Sequence, residues 1–151
     1  AEQGKLLTHQ KDTAVLTLMN LESVLERDFE VVSPDMTLGE MVSVISVSHR
    51  NSFPVVDERG VLVGIVELDN VRNIMFRPEL YDRYKVRKIM VTPEVKVSSA
   101  TPMTEVMRLF DETKAWKMPV VDEEGRYLGF ISKSAIFNSY REVLNCTFIG
   151  D

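Results

Sequence analysis

Two adjacent-carboxylate steps, Asp57-Glu58 and Asp122-Glu123, are the first places in this chain where acid–base chemistry could reside. Glycine follows each closely, at Gly60 and Gly125, so both steps read as turns with solvated carboxylates and not as catalytic dyads. His9 and His49 lie far apart, Cys146 is the single cysteine, and nothing clusters with the spacing of a zinc site. The glycines form neither GxGxxG nor a lysine-containing phosphate loop, and no GxSxG elbow is present. Asn145-Cys146-Thr147 has the glycosylation pattern, which matters only in a secreted chain and is discounted. The eight methionines, several on helical stripes, read as adaptable core filling. No reaction can be assigned to these residues, and a non-enzymatic chain is expected.

Composition narrows the partners. The net charge of -5 gives no broad basic face for phosphate backbones, so no nucleic acid is expected. The basic residues Arg83, Lys85, Arg87 and Lys88 read as a solvated linker and not as an anion patch. No apolar run is long enough to span a bilayer and no signal peptide is recognisable. A lone cysteine excludes an internal disulfide and favours a reducing, cytoplasmic setting. The start at Ala1-Glu2-Gln3 without methionine suggests a boundary inside a longer protein.

The elements that position any site come from an internal repeat. Phe53-Pro54-Val55-Val56-Asp57-Glu58-Arg59-Gly60-Val61-Leu62-Val63-Gly64 returns 65 positions later as Met118-Pro119-Val120-Val121-Asp122-Glu123-Glu124-Gly125-Arg126-Tyr127-Leu128-Gly129, with seven of the twelve positions identical. The same offset places Leu38, Met41, Val42 and Ile45 on Met103, Val106, Met107 and Phe110, one helical face in each copy. Each copy therefore reads as an extended segment, a helix, a hairpin and a second helix. Proline stops the first helix, and glycine permits the hairpin turn. Val71, Ile74 and Met75 mark the second helix in one copy, and Ile136, Phe137 and Tyr140 in the other. Residues 12–28 read as a further helix that Asp12 could cap. The expected organisation is an N-terminal linker or helix over 1–20, units over 21–77 and 86–142, a linker over 78–85 and a tail over 143–151. Two units this small should pack together with pseudo-twofold symmetry, in an α+β fold.

The duplicated hydrophobic-Pro-Val-Val-Asp, turn, Gly-hydrophobic-hydrophobic series resembles the CBS domain family, over residues 21–141. The resemblance implies a tandem pair, or Bateman module, that dimerises, binds AMP, ADP or ATP between its repeats and regulates an attached protein. Residues 12–19 and Trp116-Lys117-Met118-Pro119 further resemble the cytosolic tail of bacterial CLC-family chloride channels or transporters. That implies a transmembrane channel domain in the same polypeptide and a place at the inner face of the cell membrane, with no membrane insertion by this segment itself.

The family's nucleotide motif is similar to Gly, two hydrophobics, Ser or Thr, two variable residues and Asp. Here Gly64-Ile65-Val66 leads to Glu67 and Asn70, and Gly129-Phe130-Ile131 leads to Ser132 and Ala135, so neither copy is complete. Asn70 could still bond a ribose and Asp69 could substitute, whereas Glu67 would repel phosphate. The base side is implied just before each Pro-Val-Val strand, where Trp116 and Arg50 offer flat groups for a purine. One site is thus expected from Trp116, Lys117 and Met118 with Glu67, Asp69 and Asn70. A second, weaker one is expected from Arg50, Asn51 and Phe53 with Ser132 and Ala135. Trp116 as a core or interface aromatic, Phe53 and Met118 as core, and a ligand-free dimerising scaffold are the competing readings.

Overall fold

The protein is described by a computed structural model covering residues 15–145. Asp12, His9 and Cys146 lie outside the described residues.

In the first unit, α1 (Leu38–Val47) begins where Thr37 and Glu40 form a reciprocal capping box, and it buries Leu38 and Met41. Strands β1 (Ser52–Val56) and β2 (Leu62–Glu67) pair antiparallel, with Phe53 opposite Val66. A one-turn α2 (Leu68–Val71) follows. The second unit opens with a single turn, α3 (Val86–Ile89). The second unit repeats the order as β3 (Val97–Ser98), α4 (Met103–Thr113), β4 (Lys117–Val121), β5 (Tyr127–Ser132) and α5 (Lys133–Leu144). Val97 pairs parallel with Val120, and the corresponding Val32 pairs parallel with Val55. The 65-residue period is therefore a structural period, and the expected hairpins and fold class are present.

The two hairpin turns are built alike and meet. The Asp57 carboxylate accepts from the N–H groups of Arg59 and Val61, each at 2.9 Å, and Asp122 does the same for Glu124 and Arg126. Gly60 and Gly125 take φ of 87° and 86°, a region closed to most side chains. Across the pseudo-twofold axis the Leu62 N–H donates to Gly125 O at 3.0 Å and the Tyr127 N–H to Gly60 O at 2.9 Å. Backbone N–H donors from Arg126 and Glu124, with the Arg126 side chain, hold the Asp122 carboxyl below its ordinary range. A depressed pKa stabilises the fold above the unfolded value of about 4 and is lost as pH falls through the folded value. Asp122→Asn keeps an acceptor oxygen but cannot titrate. It is expected to flatten the acid limb of a thermal-midpoint-against-pH profile below about pH 4, and superimposable limbs would count against this.

What joins the units is an exchange of their leading segments. Glu26, in the leading segment of the first unit, pairs with Phe130 of β5, with N–H to O distances of 2.7 and 2.9 Å in the two directions. Val91, in the leading segment of the second unit, pairs with Ile65 of β2 at 2.8 Å in both directions. The cores follow suit. Val15, Met19, Leu21 and Val24 are buried among Val97, Val106, Phe110 and Ile131 of the second unit, while Val86 is buried among Met41, Phe53, Val55 and Val66 of the first. At about 1.5–3 kcal/mol per buried aliphatic side chain, the first four residues supply about as much as a whole domain's net stability of about 5–15 kcal/mol. Neither unit has a complete core of its own.

That exchange corrects two expectations. Residues 12–28 are not one helix. Among the described residues the helix ends at residue 18, and Asn20 then caps a 3-10 turn (Leu21–Val24). Residues beyond it must extend to lie along β5, which no continuous helix would allow. The first unit's second helix also stops at Val71, and Ile74 and Met75 belong to successive turns. Pro78 disfavours helix at Arg77, which sits at φ -117° and ψ 85°.

Candidate functional site

The seam between the units holds two clefts at positions related by the pseudo-twofold axis. The Leu68 N–H donates to Asn51 O at 2.8 Å and the Lys133 N–H to Trp116 O at 2.9 Å, so Asn51 and Trp116 stand at equivalent posts. The larger cleft, about 380 Å³, is lined by Glu26, Phe29, His49, Arg50, Asn51, Trp116, Lys117, Ser132 and Ser134. Its counterpart, about 190 Å³, is lined by residues that include Glu67, Thr92, Glu94, Thr113, Lys117 and Met118. A recess of about 120 Å³ bounded by Asn51, Glu67, Leu68, Asp69 and Arg72 lies at the start of α2.

Their chemistry differs. In the larger cleft the Ser132 hydroxyl caps α5, accepting from the Ala135 N–H at 3.1 Å, and donates towards Glu26 Oε2 at 3.4 Å. Arg50 is fixed by its Nε donating to Asp28 O at 2.7 Å and by its guanidinium lying 4.0 Å over the Phe29 ring. Trp116 is 79% exposed, and Lys133 Nζ stands 5.9 Å from its ring centre. Behind this wall burial pushes the Tyr127 phenol up to about 12, against the Arg50 and Arg27 charges. Its hydroxyl has no hydrogen-bond partner among the described residues. Cations, hydroxyls and an indole face thus converge on the larger cleft. In the smaller one the position of Ser132 is taken by Glu67, whose carboxylate accepts from the buried Ser52 hydroxyl at 2.6 Å. Together with Glu94 it makes that cleft poor for anions.

The structure brings Arg50 and Asn51 to Ser132, and Met118 and Glu67 to one cleft, in the combinations expected. Lys117 lines both clefts. Trp116 does not join Glu67 and Asn70; it lines the Ser132 cleft, because the pairing of β4 with β5 sets it beside Ser132 and Lys133 of its own unit. Asn70 is exposed and lines neither cleft. Phe53 is 0% exposed, an inward residue of β1 and a core residue, so it is not available to a ligand. Ala135 packs against the second unit's core, and Met118, 2% exposed, is largely core as well. Glu26, Phe29, His49 and Ser134 were not anticipated as lining residues. His49 and Ser134 adjoin expected positions, but nothing in the repeat marks Glu26 or Phe29, which arrive through the segment exchange.

The fold is a duplicated α+β module with clefts at the seam between its two copies. The CBS domain profile matches residues 21–77 and 86–142, and the chain belongs to that family as a tandem CBS pair. It is 34% identical over 113 residues to inosine-5'-monophosphate dehydrogenase from Bifidobacterium longum, covering 74% of this chain and 20% of that one. It is 27% identical over 154 residues to the chloroplastic CBS domain-containing protein CBSX1 of Arabidopsis thaliana, covering 83% and 64%. The chain thus spans less than two thirds of either relative. Among solved structures, CbpB in complex with c-di-AMP superimposes with a TM-score of 0.74 at 14% identity, covering 91% of this chain and 94% of that one. CBSX2 in complex with AMP gives 0.66 at 21%, covering 82% and 97%. The cytosolic domain of the Mg2+ channel MgtE in complex with ATP gives 0.66 at 26%, covering 80% and 48%. Among the described residues no helix is long and apolar enough to cross a membrane, and no group of three or more His, Cys, Asp or Glu is placed to hold a metal ion.

Proposed function

We propose that this CBS pair is a non-enzymatic, cytoplasmic regulatory module that takes one adenine nucleotide in the Ser132 cleft. The observation that carries the reading is the convergence of Trp116, Arg50, Lys117 and the capped start of α5 on one cavity. An indole face stacks on a purine, the Arg50 and Lys117 cations suit phosphate, and the start of α5 brings the Ser132 hydroxyl to the same cavity. Solved neighbours that hold AMP, ATP and c-di-AMP support the ligand class. Binding would regulate a partner by favouring one arrangement of the two units over another. The partner proposed is a transmembrane channel domain of the same polypeptide at the inner face of the membrane, of the chloride-conducting kind that the residues around Trp116 resemble. A neighbour taken from an ion channel supports only the general role. A second copy of the module is the proposed companion, through helix faces that leave Val47 and Phe137 exposed.

The test is calorimetry of AMP, ADP and ATP with the wild type and Trp116→Ala. Stacking is worth about 1–3 kcal/mol per base, so the substitution should weaken AMP about tenfold or more. Because Trp116 is largely exposed, the thermal midpoint should stay within about 2 °C. Undiminished affinity in the variant would remove Trp116 from the site. Absence of binding by all three nucleotides would favour a ligand-free scaffold.

A further inference from the structure

We infer that Glu26 accepts the ribose hydroxyls of the nucleotide in the Ser132 cleft, which makes the site selective for ribonucleotides over 2′-deoxyribonucleotides. The inference rests on the reading that this cleft binds a nucleotide. Among the described residues lining the cleft, Glu26 is the only carboxylate. Its backbone is pinned to Phe130 of β5 by a reciprocal pair of hydrogen bonds, so the side chain projects from a fixed post. Its Oε2 stands 3.4 Å from Ser132 Oγ, at the junction of β5 and α5.

An ionised carboxylate only accepts, and its two oxygens match the two donors of a vicinal diol. A phosphate placed against it would be repelled, so the phosphate belongs with the cations of the same cleft, Arg50 and Lys117. The first turn of α5 supplies no competing carboxylate, because position 135 is Ala135. In the smaller cleft the residue at Glu26's post is Val91, and Glu67 already accepts from Ser52. The smaller cleft's carboxylates, Glu67 and Glu94, stand without Arg50 and repel the phosphate that must accompany the diol, so one nucleotide binds per chain.

The experiment is calorimetry of AMP and 2′-deoxy-AMP with the wild type and Glu26→Gln, folding of the variant being checked by thermal melting. The wild type is expected to prefer AMP about tenfold, the worth of a hydrogen bond to a charged acceptor. In Glu26→Gln most of that preference should vanish through weaker AMP binding, with 2′-deoxy-AMP nearly unchanged. Equal wild-type affinities would overturn the inference without any variant being needed. Tighter AMP binding by Glu26→Gln would overturn it by showing repulsion in place of acceptance. If the wild type binds neither compound, the nucleotide reading itself falls and the inference with it.

Discussion

Phe130→Ala is expected to cost about 3–5 kcal/mol and to lower the thermal midpoint by roughly 10 °C or more. Phe130 is 1% exposed, with the Phe29 ring 4.5 Å away and the Tyr127 ring at 6.0 Å, edge to face. Its strand is bonded on one side to β4 and on the other to Glu26. Removing the ring opens a cavity whose walls belong to both units and whose backbones are pinned. Such a site cannot collapse, and the cost of a large-to-small change rises with the volume left behind. Urea denaturation is the measurement, and a loss below about 1 kcal/mol would contradict the interlocked seam.

Gly129→Ala should destabilise more than Gly64→Ala, although the two glycines are equivalent in the repeat. A Cβ on Gly129 would lie 2.6 Å from the Glu26 carbonyl oxygen and 3.0 Å from Leu25 Cδ1. A Cβ on Gly64 would lie 2.6 Å from Met90 Sδ and 2.9 Å from its Cγ. Both contacts are too short to persist. Methionine has three rotatable bonds and can swing aside, whereas the backbone oxygen of Glu26 is held in a bridge to the very strand that carries Gly129. The expected costs are about 3 kcal/mol at Gly129 and about 1 kcal/mol at Gly64, within the range for overpacking. Gly129→Ala should also disturb nucleotide binding by displacing Glu26. Equal costs, or the reverse order, would show that the Met90 side chain is no more yielding than backbone.

Much of the fold is legible in the sequence, because local chemistry and period coincide. Pro54 and Pro119 exclude helix from the strands that carry them, Gly60 and Gly125 permit the turns, and a gapless offset ties the copies together. The burial of Phe53 and Met118 follows from their place at the head of short continuous apolar runs, which are buried almost throughout. Periodicity also shows that Leu21 and Val24 need to be covered. It cannot show that the other unit covers them, since an apolar face has no address. The site suffers from the same gap. Glu67 and Ser132 are found through their place in the repeat, but the arrival of Arg50 and Asn51 beside Trp116 depends on how the two units meet. Glu26 breaks the repeat, with Val91 at its counterpart, and so leaves no trace in a comparison of the two halves.

The exchange of leading segments makes the chain resemble two identical partners that have clasped arms and been tied together by a single cord. Residues 78–85 turn what would be a second-order encounter into an intramolecular one, at the millimolar effective concentration typical of short tethers. Because closure entropy grows only as the logarithm of length, that cord can lengthen at little thermodynamic cost. A protease that cuts it leaves two fragments, each holding the piece its neighbour lacks, and the clasp becomes a concentration-dependent association.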